Sequence, residues 1–283
     1  MKRIILVVLL VGIAGIAGIV RSNSNPMRRL SSLPSVLHGH KQSSGEAREE
    51  IRKSYELAAG AKVEVSGING WVKVETADVK TADVFIERLG SAQEVLNRRK
   101  ITIDASPNSL RIHGEKGDGN FLGRLFGSSP TERVTLRLPR QISLVAQGVN
   151  GSVVVGEIDG SVKVHGINGK VEIAQAAGSA EFNGINGNIS VGLKQLDTGR
   201  TTINGINGNI ELKLDASVNA DLDAHGMNGN VTSDLPNVVV HKTERGRYTA
   251  QIGTGGNSIS ASGINGNIRL TRLKSATSGV EAG

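Results

Sequence analysis

The sequence is organised by a four-residue phrase, Gly-Ile-Asn-Gly, that occurs seven times: at 67–70, 148–151 with Val149, 166–169, 184–187, 205–208, 226–229 with Met227, and 263–266. Successive copies are 81, 18, 18, 21, 21 and 37 residues apart, and half-copies ending at Gly160 and Gly178 divide both 18-residue intervals into nines. A short fixed period means one small supersecondary unit, too small to bury its own apolar face and therefore stacked on its neighbours.

Aligned on the last glycine, the units assign a task to each position. Offsets +2 and +4 are apolar, as in Val72 and Val74, Val153 and Val155, Val171 and Ile173, Ile189 and Val191, Ile210 and Leu212, Ile268 and Leu270. Offsets +1 and +3 are mostly polar, as in Lys170 and Glu172, Asn188 and Ser190, Asn209 and Glu211. Period two with one wet face is a short strand. An apolar residue two before the last glycine (Ile68, Ile158, Ile167, Ile185, Ile206, Ile264) plugs the corner, and Asn-Gly supplies residues that tolerate positive φ. The structural turn residues are thus Gly67, Asn69 and Gly70; Gly148, Asn150 and Gly151; Gly166, Asn168 and Gly169; Gly184, Asn186 and Gly187; Gly205, Asn207 and Gly208; Gly226, Asn228 and Gly229; and Gly263, Asn265 and Gly266.

Two all-β architectures use such a unit. Asn-Gly between alternating runs is a strong hairpin signal, which allows an antiparallel β-meander. The equal phase of every unit points instead to a single-stranded β-solenoid (β-helix), with 18 residues per turn and the longer intervals looping out at corners. Rungs near 263–270 would then form an open edge unless the tail from Lys274 covers it.

Composition narrows the function. With 37 glycines and seven aromatic residues in 283, the core must be thin layers of β-branched side chains, which argues against helical bundles and nucleotide-binding α/β folds. No cysteine means no disulfide framework, no thiolate metal site and no cysteine nucleophile. The net charge of +7 is concentrated near the start: residues 1–60 hold nine Lys/Arg against four Asp/Glu, and residues 61–283 hold 24 against 22. The body offers neither the basic stripe nor the stacking platforms of a nucleic-acid surface, so no nucleic-acid partner is expected.

The ends have a different character. Lys2 and Arg3 precede an apolar or glycine run from Ile4 to Val20, closed by Arg21. Residues 1–20 read as a signal peptide or an N-terminal membrane anchor, because the length fits an h-region and also lies at the lower edge of what spans a bilayer. Residues 21–48 read as a flexible, basic, serine-rich linker. Residues 49–275 read as one β domain, irregular over 49–146 and regular over 147–275, followed by a tail at 276–283. Ser91 to Arg99 reads as a short helix, and Gly114 to Pro130, with Phe121, Leu122, Leu125 and Phe126, reads as a flap or an exposed docking loop.

The residues fit the common chemistries of glycine-rich repeats and β-helices poorly. A calcium β-roll needs aspartates at the turns, and these turns carry asparagine, Asp159 excepted. Gly117 to Gly123 misses the dinucleotide fingerprint by one residue. Six histidines form no chelating pair by spacing, although His165 and His225 both stand just before the phrase. The outward acids Glu172, Glu181 and Glu211 are scattered among repeats rather than paired as a glycosidase needs. No metal, cofactor or catalytic residue is expected, and the protein reads as a non-enzyme; a polysaccharide-processing β-helix enzyme is the alternative on fold analogy alone.

The series Val63-Glu-Val-Ser-Gly-Ile-Asn-Gly-Trp-Val-Lys-Val, then Val134-Thr-Leu-Arg-Leu-Pro-Arg, then the glycine ladder ending in Gly263-Ile-Asn-Gly-Asn-Ile-Arg-Leu, resembles the bacterial putative-adhesin domain family, also called toastrack. The resemblance covers about residues 50–274. It implies an extracytoplasmic single-stranded β-helix without established catalytic activity, and it defines no functional residues to carry over. The expectation is an exported cell-envelope protein in the periplasm, at the cell surface or anchored facing outward. It would bind an envelope or extracellular protein or polysaccharide, with self-association as a further partner, and an envelope-stress or assembly module acting with a membrane protein is the alternative.

Overall fold

A computed structural model describes residues 47–116, 129–196, 200–236 and 238–274. The expected signal or anchor at 1–20, the linker up to residue 46, most of the 114–130 loop and the tail at 276–283 lie outside them. Among the described residues no helix is long and apolar enough to cross a membrane. The fold is all-β apart from α1 (Gln93–Asn97), which falls inside the stretch expected to be helical.

Two large sheets carry the strands. The first runs, in spatial order, β1 (Ala47–Glu56), β4 (Thr81–Gly90), β7 (Thr131–Pro139), β3 (Gly70–Ala77), β9 (Val153–Ile158), β11 (Val171–Ala176), β13 (Ile189–Leu193), β15 (Ile210–Leu214), β21 (Ile268–Arg272) and β17 (Val231–Ser233). The second runs β18 (Val240–Glu244), β19 (Arg247–Ile252), β16 (Ala220–His225), β20 (Asn257–Asn265), β14 (Thr201–Asn207), β12 (Ala180–Asn186), β10 (Val162–His165), β8 (Ile142–Gln147), β2 (Ala61–Ser66), β6 (Ser109–Lys116) and β5 (Arg99–Ser106). Each Gly-Ile-Asn-Gly corner hands the chain from a strand of the second sheet to one of the first. One strand from each sheet with its corner makes a rung.

Within the repeats every rung-to-rung pairing is parallel and in phase, which is not the pattern of a meander. Val153, Val171, Ile189, Ile210, Ile268 and Val231 form one column, and Ala146, Val164, Phe182, Ile203, Ala261 and Ala224 form another. All are buried, together with the corner plugs Ile68, Val149, Ile167, Ile185, Ile206, Ile264 and Met227. Alternation points these columns inward from both sheets, and each buried Val, Ile or Leu contributes about 1.5–3 kcal/mol.

The sheets are mixed, not purely parallel. On the first sheet β4 pairs antiparallel with both β1 and β7; on the second, β5 pairs antiparallel with β6, and β19 with both β16 and β18. These antiparallel strands extend one end of the first sheet and both ends of the second, while the first sheet ends on its other side at β17, paired parallel with β21. A charged outermost strand, β1, carries Arg48, Glu49, Glu50, Arg52 and Lys53.

Chain order and spatial order diverge at both ends. The rung β20–β21 lies between β14–β15 and β16–β17, paired parallel on each side. The expected open edge at 263–270 is therefore an interior rung. At the other end β2–β3 lies between β8–β9 and the pair β6 and β7. The long intervals of 81 and 37 residues thus hold not only corner loops but a further rung position and the antiparallel hairpins.

Candidate functional site

Each corner is built around two glycines with different reasons for being glycine. The first has φ near +60°, as in Gly184 at 63°, where a Cβ would find its nearest neighbour, Gly166 N, at 3.9 Å. The last, as in Gly187 at φ 156°, packs flat on the rung before it: a Cβ there would meet the Gly169 carbonyl oxygen at 2.2 Å. The same overlap recurs down the corner, so the last glycines form a column of backbone-on-backbone contacts.

The asparagine between them has its own task. Nδ2 of Asn150 donates to Asn69 Oδ1 at 2.9 Å, Asn168 to Asn150 at 3.0 Å, Asn186 to Asn168 at 3.1 Å and Asn207 to Asn186 at 3.0 Å. Asn265 then donates to Asn207 at 2.9 Å, and Asn228 to Asn265 at 3.0 Å. All seven corner asparagines therefore form one unidirectional ladder, whose final donor, Asn69 Nδ2, reaches the Pro130 carbonyl at 2.8 Å. Stacked amides polarise one another along such a chain. The sequence gives the asparagines as turn formers; the ladder follows from the in-phase stacking.

Both ends are capped by polar groups that the repeat does not announce. Glu132 occupies the place opposite Gly70, fully buried, and accepts from the Asn69 backbone N–H at 2.9 Å. Arg99 Nε pairs with Glu132 at 3.0 Å, and its guanidinium also donates to the Gly67 carbonyl. At the far end the Tyr248 hydroxyl, on the closing hairpin, lies 3.0 Å from both the Gly229 carbonyl oxygen and Asn230 Oδ1. Neither cap has a periodic signal, since each occurs once and outside the repeated phrase.

Beside the corner, on the outer face of the first sheet, lies a shallow trough of about 650 Å³. Its floor is a second asparagine column at offset +1, Asn188, Asn209, Asn267 and Asn230, found where the phrase extends to Gly-x-Asn-Gly-Asn. Here the side-chain carbonyls bond along the stack: Asn188 Oδ1 accepts from Asn209 N at 2.9 Å, Asn209 Oδ1 from Asn267 N at 3.0 Å and from Asn267 Nδ2 at 3.3 Å, and Asn267 Oδ1 from Asn230 N at 2.9 Å. The walls carry Glu172, Ser190, Glu211 and Thr232 with the cations Lys170, Lys213 and Arg269. Each cation has an acid beside it: Lys170 with Glu172, Lys213 with Glu211 at 3.5 Å, and Arg269 with Asp234 at 2.5 Å. Sequence inspection singled out Asn188 and Asn209 only as outward polar residues; the extended phrase, shared by four copies, was the available signal.

Other candidates fall elsewhere. His165 and His225 do share a column, but Asn183, Asn204 and Ser262 stand between them. Four steps of ~4.8 Å keep them from one ion. His165 instead faces Glu181 at 3.2 Å, and His113 Nδ1 meets Ser66 Oγ at 2.8 Å. Glu172 and Glu211 lie on the first sheet with Ser190 between them, while Glu181 lies on the second. Phe121, Leu122, Leu125 and Phe126 and the Gly117–Gly123 segment lie outside the described residues. Among those described, Trp71 and Val154 are large apolar residues exposed on the first sheet.

No curated protein sequence matches the chain. Among solved structures it is similar to a putative cell adhesion protein from Clostridium sporogenes, at 13% identity and TM-score 0.42, covering 80% of this chain and 100% of that one. It is similar also to a putative adhesin from Bacteroides fragilis, at 12% identity and TM-score 0.33, covering 78% and 97%. A putative lipid binding protein from Parabacteroides distasonis is similar at 10% identity and TM-score 0.23, covering 79% and 95%. The model of the family described as Toastrack DUF4097 matches residues 156–271, a segment that holds five of the seven corner phrases and both asparagine columns over four rungs. Over that segment, which is less than half of the chain, the sequence is similar to the toastrack family, whose function is unknown.

Proposed function

We propose that this protein is a non-enzymatic, exported cell-envelope module, a β-solenoid over its central rungs, that presents long flat faces to an envelope or extracellular partner. The observation that carries the reading is the outer surface of the rungs. Side chains there repeat in register over many rungs, and their charges are matched among themselves, as in Lys163 with Glu181 at 3.1 Å and Lys170 with Glu172. Such a surface suits recognition of an extended object better than chemistry at a point, which needs a concave pocket of convergent groups. The apolar run at Ile4 to Val20 supports export, either as a cleaved signal or as an anchor.

Protease shaving of intact cells and of spheroplasts, with a C-terminally tagged copy, tests the reading. Loss of the tag from intact cells supports adhesion at the surface. Loss only from spheroplasts supports a periplasmic role beside a membrane protein. Full protection in spheroplasts rules out export.

A further inference from the structure

The trough beside the corner has a chemistry that points to one class of ligand. We propose that it binds a single strand of uncharged, hydroxyl-rich glycan lying along the stacking direction, an inference that rests on the envelope-module reading above.

Three features of the trough lead there. The carbonyls of Asn188 and Asn209 are held by backbone N–H groups of the next rung and that of Asn230 accepts from the Tyr248 hydroxyl, so their NH₂ groups are left for the trough, whereas Asn267 Nδ2 turns back to Asn209 Oδ1 at 3.3 Å. These side chains stand at the rung spacing of ~4.8 Å, and beside them runs a mixed column of Glu172, Ser190, Glu211, Arg269 and Thr232, in which Ser190 Oγ donates to Glu211 at 3.1 Å. A line of amides next to a column that offers both donors and acceptors fits a polymer of hydroxyls, each able to donate and accept, whose residues advance at about the same step. Several weak contacts then act together on one strand.

The charge pattern excludes the competing polymer. The cations of the walls are each matched by Glu172, Glu211 or Asp234, so the trough has no net field to hold a polyanion. Among the described residues no aromatic side chain lines it, so hydrogen bonds, direct or through water, carry the recognition.

The test is an NMR titration of the full chain, with ¹⁵N in its asparagine side chains, against three oligosaccharides: cellohexaose, with plain hydroxyls; chitohexaose, with N-acetyl groups as in cell walls; and hexagalacturonate, an anion. The expected result is that the Asn188, Asn209 and Asn230 amide signals move with one or both neutral sugars and stay in place with the anion. Which neutral sugar acts separates wall-type from plain glycans. Asn209→Asp keeps the oxygen that accepts from Asn267 N and replaces the outward donor with an acceptor. It should retain the parent circular-dichroism spectrum and weaken binding about tenfold.

Absence of shifts with both neutral sugars, shifts centred on another face, or unchanged binding by Asn209→Asp would overturn the proposal. If shaving has placed the protein outside the cytoplasm, that failure leaves the envelope reading standing; full protection in spheroplasts removes the envelope reading whatever the titration shows.

Discussion

Asn228 precedes Asn265 by 37 residues, yet it is Asn265 that sits between Asn207 and Asn228, accepting from one neighbour at 3.0 Å and donating to the other at 2.9 Å. The last rung in the chain is thus wedged inside the stack. Amide hydrogen exchange should show Ile259, Ala261 and Ile268 exchanging at least as slowly as Leu222 and Val231 of the later-lying rung. If 257–272 were a terminal rung, it would fray first.

The two glycines of a corner should respond very differently to a methyl group. At Gly184 an alanine makes only an ordinary contact with Gly166 N at 3.9 Å and costs the left-handed backbone, about 1–2 kcal/mol. At Gly187 the same change drives Cβ into the Gly169 carbonyl, and a loss above about 4 kcal/mol or failure to fold is expected. Urea unfolding of the two variants, compared with the parent, checks the difference.

The ladder predicts a pH signature in a variant. Asn186→Ala removes the bonds to Asn168 and Asn207 and should cost about 1–2 kcal/mol. Asn186→Asp should cost more at neutral pH, because a carboxylate oxygen then faces Asn168 Oδ1. In the folded state the introduced acid has its pKa raised, so stability is recovered as pH falls through that raised value. Equal unfolding midpoints for the two variants at neutral pH would refute the ladder's electrostatics.

Glu132 and Arg99 form a cap that is harder to break than to replace. Glu132→Gln leaves Arg99 with an uncompensated charge against the end of the stack and should cost about 3–5 kcal/mol. The double variant Glu132→Leu with Arg99→Met should cost clearly less than the sum of its single changes, which a double-mutant cycle measures.

Asp215, in the turn between β15 and β16, accepts from the Ser217 backbone N–H at 3.0 Å and from its hydroxyl at 2.8 Å. The backbone bond first, then the hydroxyl, hold its carboxyl below the ordinary aspartate value. A depressed folded pKa means a contribution present above the unfolded value and lost as pH falls through the folded one. Asp215→Asn should therefore lower stability at neutral pH, with the gap to the parent closing in acid.

Much of this fold can be read from the chain because its period is local. The inward columns, the corner plugs Ile167 and Ile185 and the two wet faces follow from alternation and equal phase. What could not be read is pairing that skips neighbours. Nothing in Gly263-Ile-Asn-Gly distinguishes a rung added at the end from one inserted between Asn207 and Asn228, since each corner offers the same glycine and the same amide. The caps were hidden for the opposite reason: Glu132, Arg99 and Tyr248 each act once, through contacts 33, 63 or 19 residues away. The trough lay between these cases, visible as a fifth repeated residue once the rungs that share it are known to be adjacent.

The wedged rungs also restrict how such a protein can change length over generations. A duplicated 18-residue segment in the middle, such as 166–183, would add a storey whose glycine, asparagine and plug all match the floors above and below. The same duplication past residue 272 would find no vacant floor, because the position next to β21 is already held by β17. Variation in the height of this structure should therefore enter through its midsection, while both closing blocks are inherited whole.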